Sequence, residues 1–150
     1  MNKNFSRAER SLIKSDPRLG RVIVNNGHLK FSNKKIDPFN ELVNIVISQF
    51  ISTKAAKGVK EKMLKQLNEE SFKILSFKNL TVSQIKSLGL SKNKAKSIKS
   101  LVLFFSQNPN SKNLLRLSVE ERYDNLIKIF GIGKWSIETV SYTHLTLPTR

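Results

Sequence analysis

The chain has 150 residues, 39% of them hydrophobic, and a net charge of +16. That is enough for one domain with a sizeable core, burying roughly two-thirds of its unfolded surface, and too apolar for a disordered tail. There is no cysteine, which excludes disulfides, thiolate zinc sites and iron–sulfur clusters. No apolar run reaches the roughly 18 residues of a membrane span. Residues 1–7 lack the apolar stretch of a secretion signal, so an intracellular protein is expected. The charge suits a polyanionic partner, DNA or RNA first and an acidic membrane surface second. The excess of lysine over arginine, with plentiful Asn and Ile, is also the bias that an A- and T-rich genome imposes.

Residues 5–27 read as two short helices. Asp16-Pro17 starts the second with a capping side chain and a first-turn proline. Leu19, Val22 and Ile23 offer its apolar face, and Gly27 ends it. His28 to Phe31 reads as an extended link. His28 and His144 are the two histidines, too few for a metal centre or a catalytic triad.

Asp37-Pro38 repeats the start signal. Leu42, Val43, Val46, Ile47 and Phe50 then follow helical spacing, which predicts the most buried helix. Polar residues interrupt it between Ser48 and Thr53. A further helix carries Ala56, Val59, Met63 and Leu67 on one face. Its lysines 54, 57, 60, 62 and 65 fit a solvated surface as well as a DNA-facing one. Thr81 and Gln84 form a capping box, and Gly89 closes that short helix. Ser91 caps a longer helix with Ala95, Ile98, Val102 and Phe105 inside and Lys92, Lys96 and Lys99 along one side. Pro109 stops it. A third capping-box pattern, Ser118 with Glu121, starts a helix with Val119, Tyr123, Leu126, Ile127 and Phe130 predicted to face inward.

Gly131-Ile132-Gly133 follows, and a new helical pattern starts at once with Lys134 and Trp135. Two glycines two apart allow a tight turn and a close approach of backbone to another molecule. The N–H groups that open a helix, at its positive dipole end, suit a phosphate. Gly131, Gly133, Lys134 and Ser136 are therefore candidate phosphate-binding residues in a helix–hairpin–helix spanning about 119–140. A plain turn between packed helices explains the glycines equally well. No segment alternates at period two for long, so the prediction is an all-α domain of about seven to nine short helices over residues 1–140. Residues 141–150 are β-branched and polar with no helical face. They read as translated adapter sequence appended to a shortened gene, or as an ordinary irregular terminus.

Taken together, residues 16–19, 37–42, 48–52 with 54–56, 88–95 and 130–135 resemble the 3-methyladenine DNA glycosylase II family of the helix-hairpin-helix superfamily, from about residue 10 to 140. The resemblance implies the helix-hairpin-helix DNA glycosylase fold, incomplete at the C-terminus. It also implies hydrolysis of the bond between an alkylated base and deoxyribose in double-stranded DNA, in base-excision repair. A monomer without membrane attachment is expected, cytoplasmic and DNA-associated in a bacterium or nuclear in a eukaryote. Trp135 matches the pocket aromatic that stacks on the everted base; a core aromatic is the other reading of it. Phe50, flanked by Gln49, matches the wedge that fills the gap in the duplex, or else it ends the buried face of its helix.

The same resemblance implies that no cofactor is required. It assigns a structural monovalent cation at the hairpin to the backbone carbonyls of Ile127, Ile129 and Ile132. Strand-cutting relatives carry a lysine where this chain has Trp135, so a monofunctional enzyme using water is implied. The family's essential aspartate is expected beyond the second hairpin helix, past the point where this sequence departs from the pattern. The 150-residue chain is accordingly expected to be a truncated glycosylase with little or no base-release activity. A non-catalytic helix-hairpin-helix DNA-binding module is the alternative.

Overall fold

The structure, a computed structural model, describes residues 5–28 and 37–142. The described residues are helical and form two compact units, divided between residues 35 and 36.

The first unit holds α1 (Arg7–Ser15) and α2 (Pro17–Asn26). A Ser6–Glu9 capping box opens α1, and Asp16 caps α2 by accepting from the N–H groups of Arg18 and Leu19. The helices meet at Gly20, where a Cβ would fall 2.9 Å from the carbonyl oxygen of Ile13. That glycine is the buried residue of α2, while Leu19 and Val22 are exposed, contrary to the apolar face expected for them. Nδ1 of His28 lies 2.7 Å from Glu9 Oε2.

The second unit is built around α3 (Pro38–Ser48). Asp37 caps its first turn, and Phe39, Leu42, Val43, Ile45, Val46 and Ile47 are all buried. A helix apolar on nearly every side must be surrounded. Here α4 (Thr53–Leu67), α7 (Lys92–Gln107), a 3₁₀ helix (Pro109–Arg116) and a final helix, Lys134–Tyr142, pack on it. The short α5 (Ile74–Lys78) and α6 (Val82–Ser87) pack on α7. Phe39 meets Phe105 edge to face at 5.5 Å, and the Phe77 ring lies 6.1 Å from it at a tilt. Fully burying each such side chain is worth about 1.5–3 kcal/mol.

Polar fasteners hold the connections. The Asn40 carboxamide accepts from Phe72 N–H, and Lys99 Nζ donates to the carbonyls of Lys78 and Leu80. Lys99 thus caps α5 instead of joining the basic row expected of it with Lys92 and Lys96. The capping boxes at Thr81 and Ser118 are both present.

The helix opened by Ser118, α8 (Val119–Leu126), turns a different face inward from the one expected. Val119, Tyr123, Ile127 and Phe130 are exposed. The buried set is Arg122, Leu126 and Ile129, spaced i, i+4, i+7. Arg122 spends its guanidinium on the carbonyls of Leu114 and Leu117 at the end of the 3₁₀ helix. That helix was not anticipated after Pro109.

The last helix, α9 (Lys134–Tyr142), runs two residues beyond position 140. The rest of the expected tail, with His144, lies outside the described residues, as do the N-terminal residues 1–4 and most of the expected link after His28.

Candidate nucleic-acid interface

Two turns of the second unit lie together. The first joins α3 to α4. After Ser48 the backbone leaves the helix at Gln49, and Phe50 takes a left-handed conformation, φ 58°. Ser52 then caps α4 by accepting from Ala55 N–H. The left-handed region is unfavourable for a bulky residue, and the ring gains no packing in return: Phe50 is 101% exposed. Phe50 is therefore no part of the core, and its side chain stands out from the surface.

The second turn is the hairpin between α8 and α9. Successive tight turns carry it, with Ile129 N–H bonded to Leu126 O and Ile132 N–H to Ile129 O. The side chains of Ile129 and Ile132 are buried and anchor the hairpin, while Ile127, Gly131, Gly133 and Lys134 are exposed. Of the three carbonyls assigned to a cation, that of Ile129 already accepts within the turn. Gly131 has φ 79°, and a Cβ there would fall 1.8 Å from Ser97 Oγ on α7. Gly133 has open space around it. The first N–H groups of α9 point out of the helix end by geometry, beside the exposed Lys134.

Gln49 ties the two turns together. Its Nε2 donates to Gly131 O and to Ser136 Oγ, each at 3.1 Å. Ser136 is buried, so its hydroxyl works on the inner side of the hairpin, holding Gln49. On the far side, Lys94 Nζ donates to Ile47 O at 2.7 Å, in the last turn of α3. Burial holds the Lys94 ammonium below the usual lysine range. Lys96 stands 6.0 Å over the Phe130 ring at the hairpin.

Trp135 is 59% exposed, so it is no core aromatic. It lines a pocket of about 660 Å³ with Glu41, Asn44 and Ile47 of α3, Ile51 of the α3–α4 turn, and Ala56, Lys57 and Lys60 of α4. That size falls in the range of small-molecule sites. Glu138, which shares a helix face with Trp135, reaches back toward Lys134 at 3.9 Å and does not line the pocket. The resemblance marks Trp135 and Phe50, whereas helical spacing alone places Phe50 in the core. Neither marks Glu41 and Asn44, which are polar residues of a largely apolar helix.

No family model and no curated protein matches the sequence. Solved structures do. The Schizosaccharomyces pombe 3-methyladenine DNA glycosylase in complex with abasic DNA superposes with a TM-score of 0.72 and 26% identity, over 90% of this chain and 68% of that one. The chain has the helix-hairpin-helix DNA glycosylase fold. A Bacillus halodurans DNA-3-methyladenine glycosidase shares this glycosylase fold at a TM-score of 0.66 and 22% identity, over 90% of this chain and 62% of its own length.

Proposed function

We propose that this chain is the lesion-binding part of a DNA glycosylase of base-excision repair, directed at alkylated bases of the 3-methyladenine type in double-stranded DNA. The observation that carries the reading is the joint placement of three features. An exposed aromatic stands on a strained turn, a glycine hairpin is hydrogen-bonded to that turn, and Trp135 opens into a pocket beside it. On this reading the hairpin N–H groups grip a phosphate. Phe50 fills the gap left in the stack. Trp135 receives the everted base, whose positive charge favours an aromatic face by roughly 0.5–2 kcal/mol. Eversion costs a few kcal/mol, least for damaged pairs, which gives selectivity before any chemistry.

The chemistry would be hydrolysis by water. With Trp135 where strand-cutting relatives carry lysine, and Lys134 turned toward Glu138, the start of α9 offers no amine at the position from which those relatives form a Schiff base. The aspartate that the resemblance requires after the hairpin has no counterpart among the described residues. On this reading the described residues bind the duplex and receive the everted base. A monovalent cation at the hairpin carbonyls of Ile127, Ile129 and Ile132 remains part of the reading.

The test has two arms. The full-length gene product should release 3-methyladenine from alkylated DNA. The 150-residue chain should bind duplex with an abasic-site analogue more tightly than intact duplex. Equal affinity for the two duplexes would instead identify a non-catalytic helix-hairpin-helix DNA-binding module.

A further inference from the structure

The hairpin tip carries a second exposed ring. Phe130 is 52% exposed and directly precedes Gly131. Phe50, fully exposed, directly follows Gln49. The 3.1 Å hydrogen bond from Gln49 Nε2 to Gly131 O therefore has an exposed phenylalanine next in sequence to each of its partners. A lone apolar side chain on a surface needs no explanation. Two rings on turns fastened to each other are an arrangement. The Phe130 end is also held by α7: Ser97 fills the space beneath Gly131, and Lys96, its neighbour, stands 6.0 Å over the Phe130 ring. That distance is the outer limit of a cation–π contact, and it leaves the residue half exposed.

The charges around this ring favour a polyanion. Lys96 of α7 is exposed, as are Lys128 and Lys134 at either end of the hairpin. The exposed apolar row continues up α8 through Ile127, Tyr123 and Val119, but there the exposed Glu120 and Asp124 lie beside it. Carboxylates repel a nucleic acid, so the row suits one only at its hairpin end, where Phe130 stands. Tyr123, the other exposed aromatic of α8, is on the acidic side.

We propose that Phe130 is a second wedge: it enters the minor groove alongside Phe50 and opens a base step other than the one at the everted nucleotide. The inference rests on the reading of the preceding section and adds where the duplex is opened. Apolar side chains inserted between base steps partly unstack them and kink the duplex. Phe50 fills a gap that eversion creates. Phe130 replaces no base, so it parts two bases that both stay in the helix. Gln49 ties the two turns together, so both openings come with one binding event.

The experiment places 2-aminopurine, a base that brightens when unstacked, at successive positions on either side of an abasic-site analogue, and adds the 150-residue chain. Wild type should brighten two separate positions severalfold, one against the abasic site and one farther along. Phe130→Ser should lose the farther signal alone, and Phe130→Tyr, which keeps a ring, should retain it. Phe50→Asn should lose the nearer one. A wild-type chain that lights only the nearer position, or a Phe130→Ser chain that keeps both, overturns the assignment and leaves the reading of Phe50 standing. No brightening at any position overturns both. A wild-type chain that sediments as a dimer, dissociated by Phe130→Ser, would give the ring to a contact with a second copy and also overturn the assignment. Should the serine variant fail to fold, Phe130→Gln reads the same loss.

Discussion

Gln49 reaches across 82 positions of sequence to donate a hydrogen bond to the backbone carbonyl of Gly131. Its second N–H goes to the Ser136 hydroxyl. One side chain thus ties the strained turn to the hairpin tip. Gln49→Ala should destabilise the chain by about 1–2 kcal/mol, two net hydrogen bonds at a partly exposed site. Its binding to abasic-analogue duplex should fall more than its binding to intact duplex, because only the bent substrate needs both turns in register. Urea denaturation and paired binding titrations check the two effects. An equal loss on both duplexes would mean that Gln49 supports only the fold.

The two hairpin glycines should behave differently. Gly131→Ala meets both a left-handed backbone and the Ser97 side chain. It should cost about 2–4 kcal/mol, the sum of conformational strain and overpacking. Gly133→Ala meets nothing in the free protein, so its melting temperature should stay within a degree or two of wild type. If a phosphate seats on that turn, the added methyl should still weaken DNA binding severalfold. A Gly133→Ala variant with normal affinity would place the phosphate elsewhere.

Phe50 should separate folding from binding in the opposite sense. The ring packs on nothing, and the residue pays for a left-handed backbone. Phe50→Asn should leave stability unchanged or raise it by up to about 1 kcal/mol, since asparagine tolerates that region better. Affinity for abasic-analogue duplex should drop about tenfold as the wedge is lost. Thermal melts alongside fluorescence anisotropy on labelled duplex read both.

Acid stability carries a further expectation. The Glu69 carboxyl is held below its ordinary range, chiefly by its hydrogen bond from Lys73 and then by that from Ser76. The folded state thus binds a proton there less readily than the unfolded chain. The stabilisation is complete above the ordinary carboxyl value of 4.5 and fades as pH falls through the lowered folded value. Wild type should lose its advantage over Glu69→Gln across that acidic window, and the difference between them should be flat from pH 6 to 8. A difference that grows toward neutral pH would assign the effect to another group.

Much of the fold was legible because its signals are local. The starts at Asp16, Asp37, Thr81, Ser91 and Ser118 are each a capping side chain bonded to backbone a few residues on, and each is found where the pattern put it. Facing was less legible. In α8 two apolar rows compete, and the tertiary fold chose the one containing Arg122, whose guanidinium finds carbonyl partners that no periodicity can foresee. Phe130 lies past the helix end, where helical spacing no longer says where a side chain points. In the site, Trp135 and the glycines announce themselves by type. Asn44 and Glu41 do not, because their meaning depends on α4 and α9 closing over the same flank of α3.

One consequence follows from α7. Ser97 fills the space beneath Gly131, and Lys94, one turn earlier, holds the last turn of α3 through the Ile47 carbonyl. The same rod therefore braces both loops from behind, independently of Gln49. On the proposed reading, a duplex that gripped both loops would meet a braced pair, and the work of bending would fall on the nucleic acid.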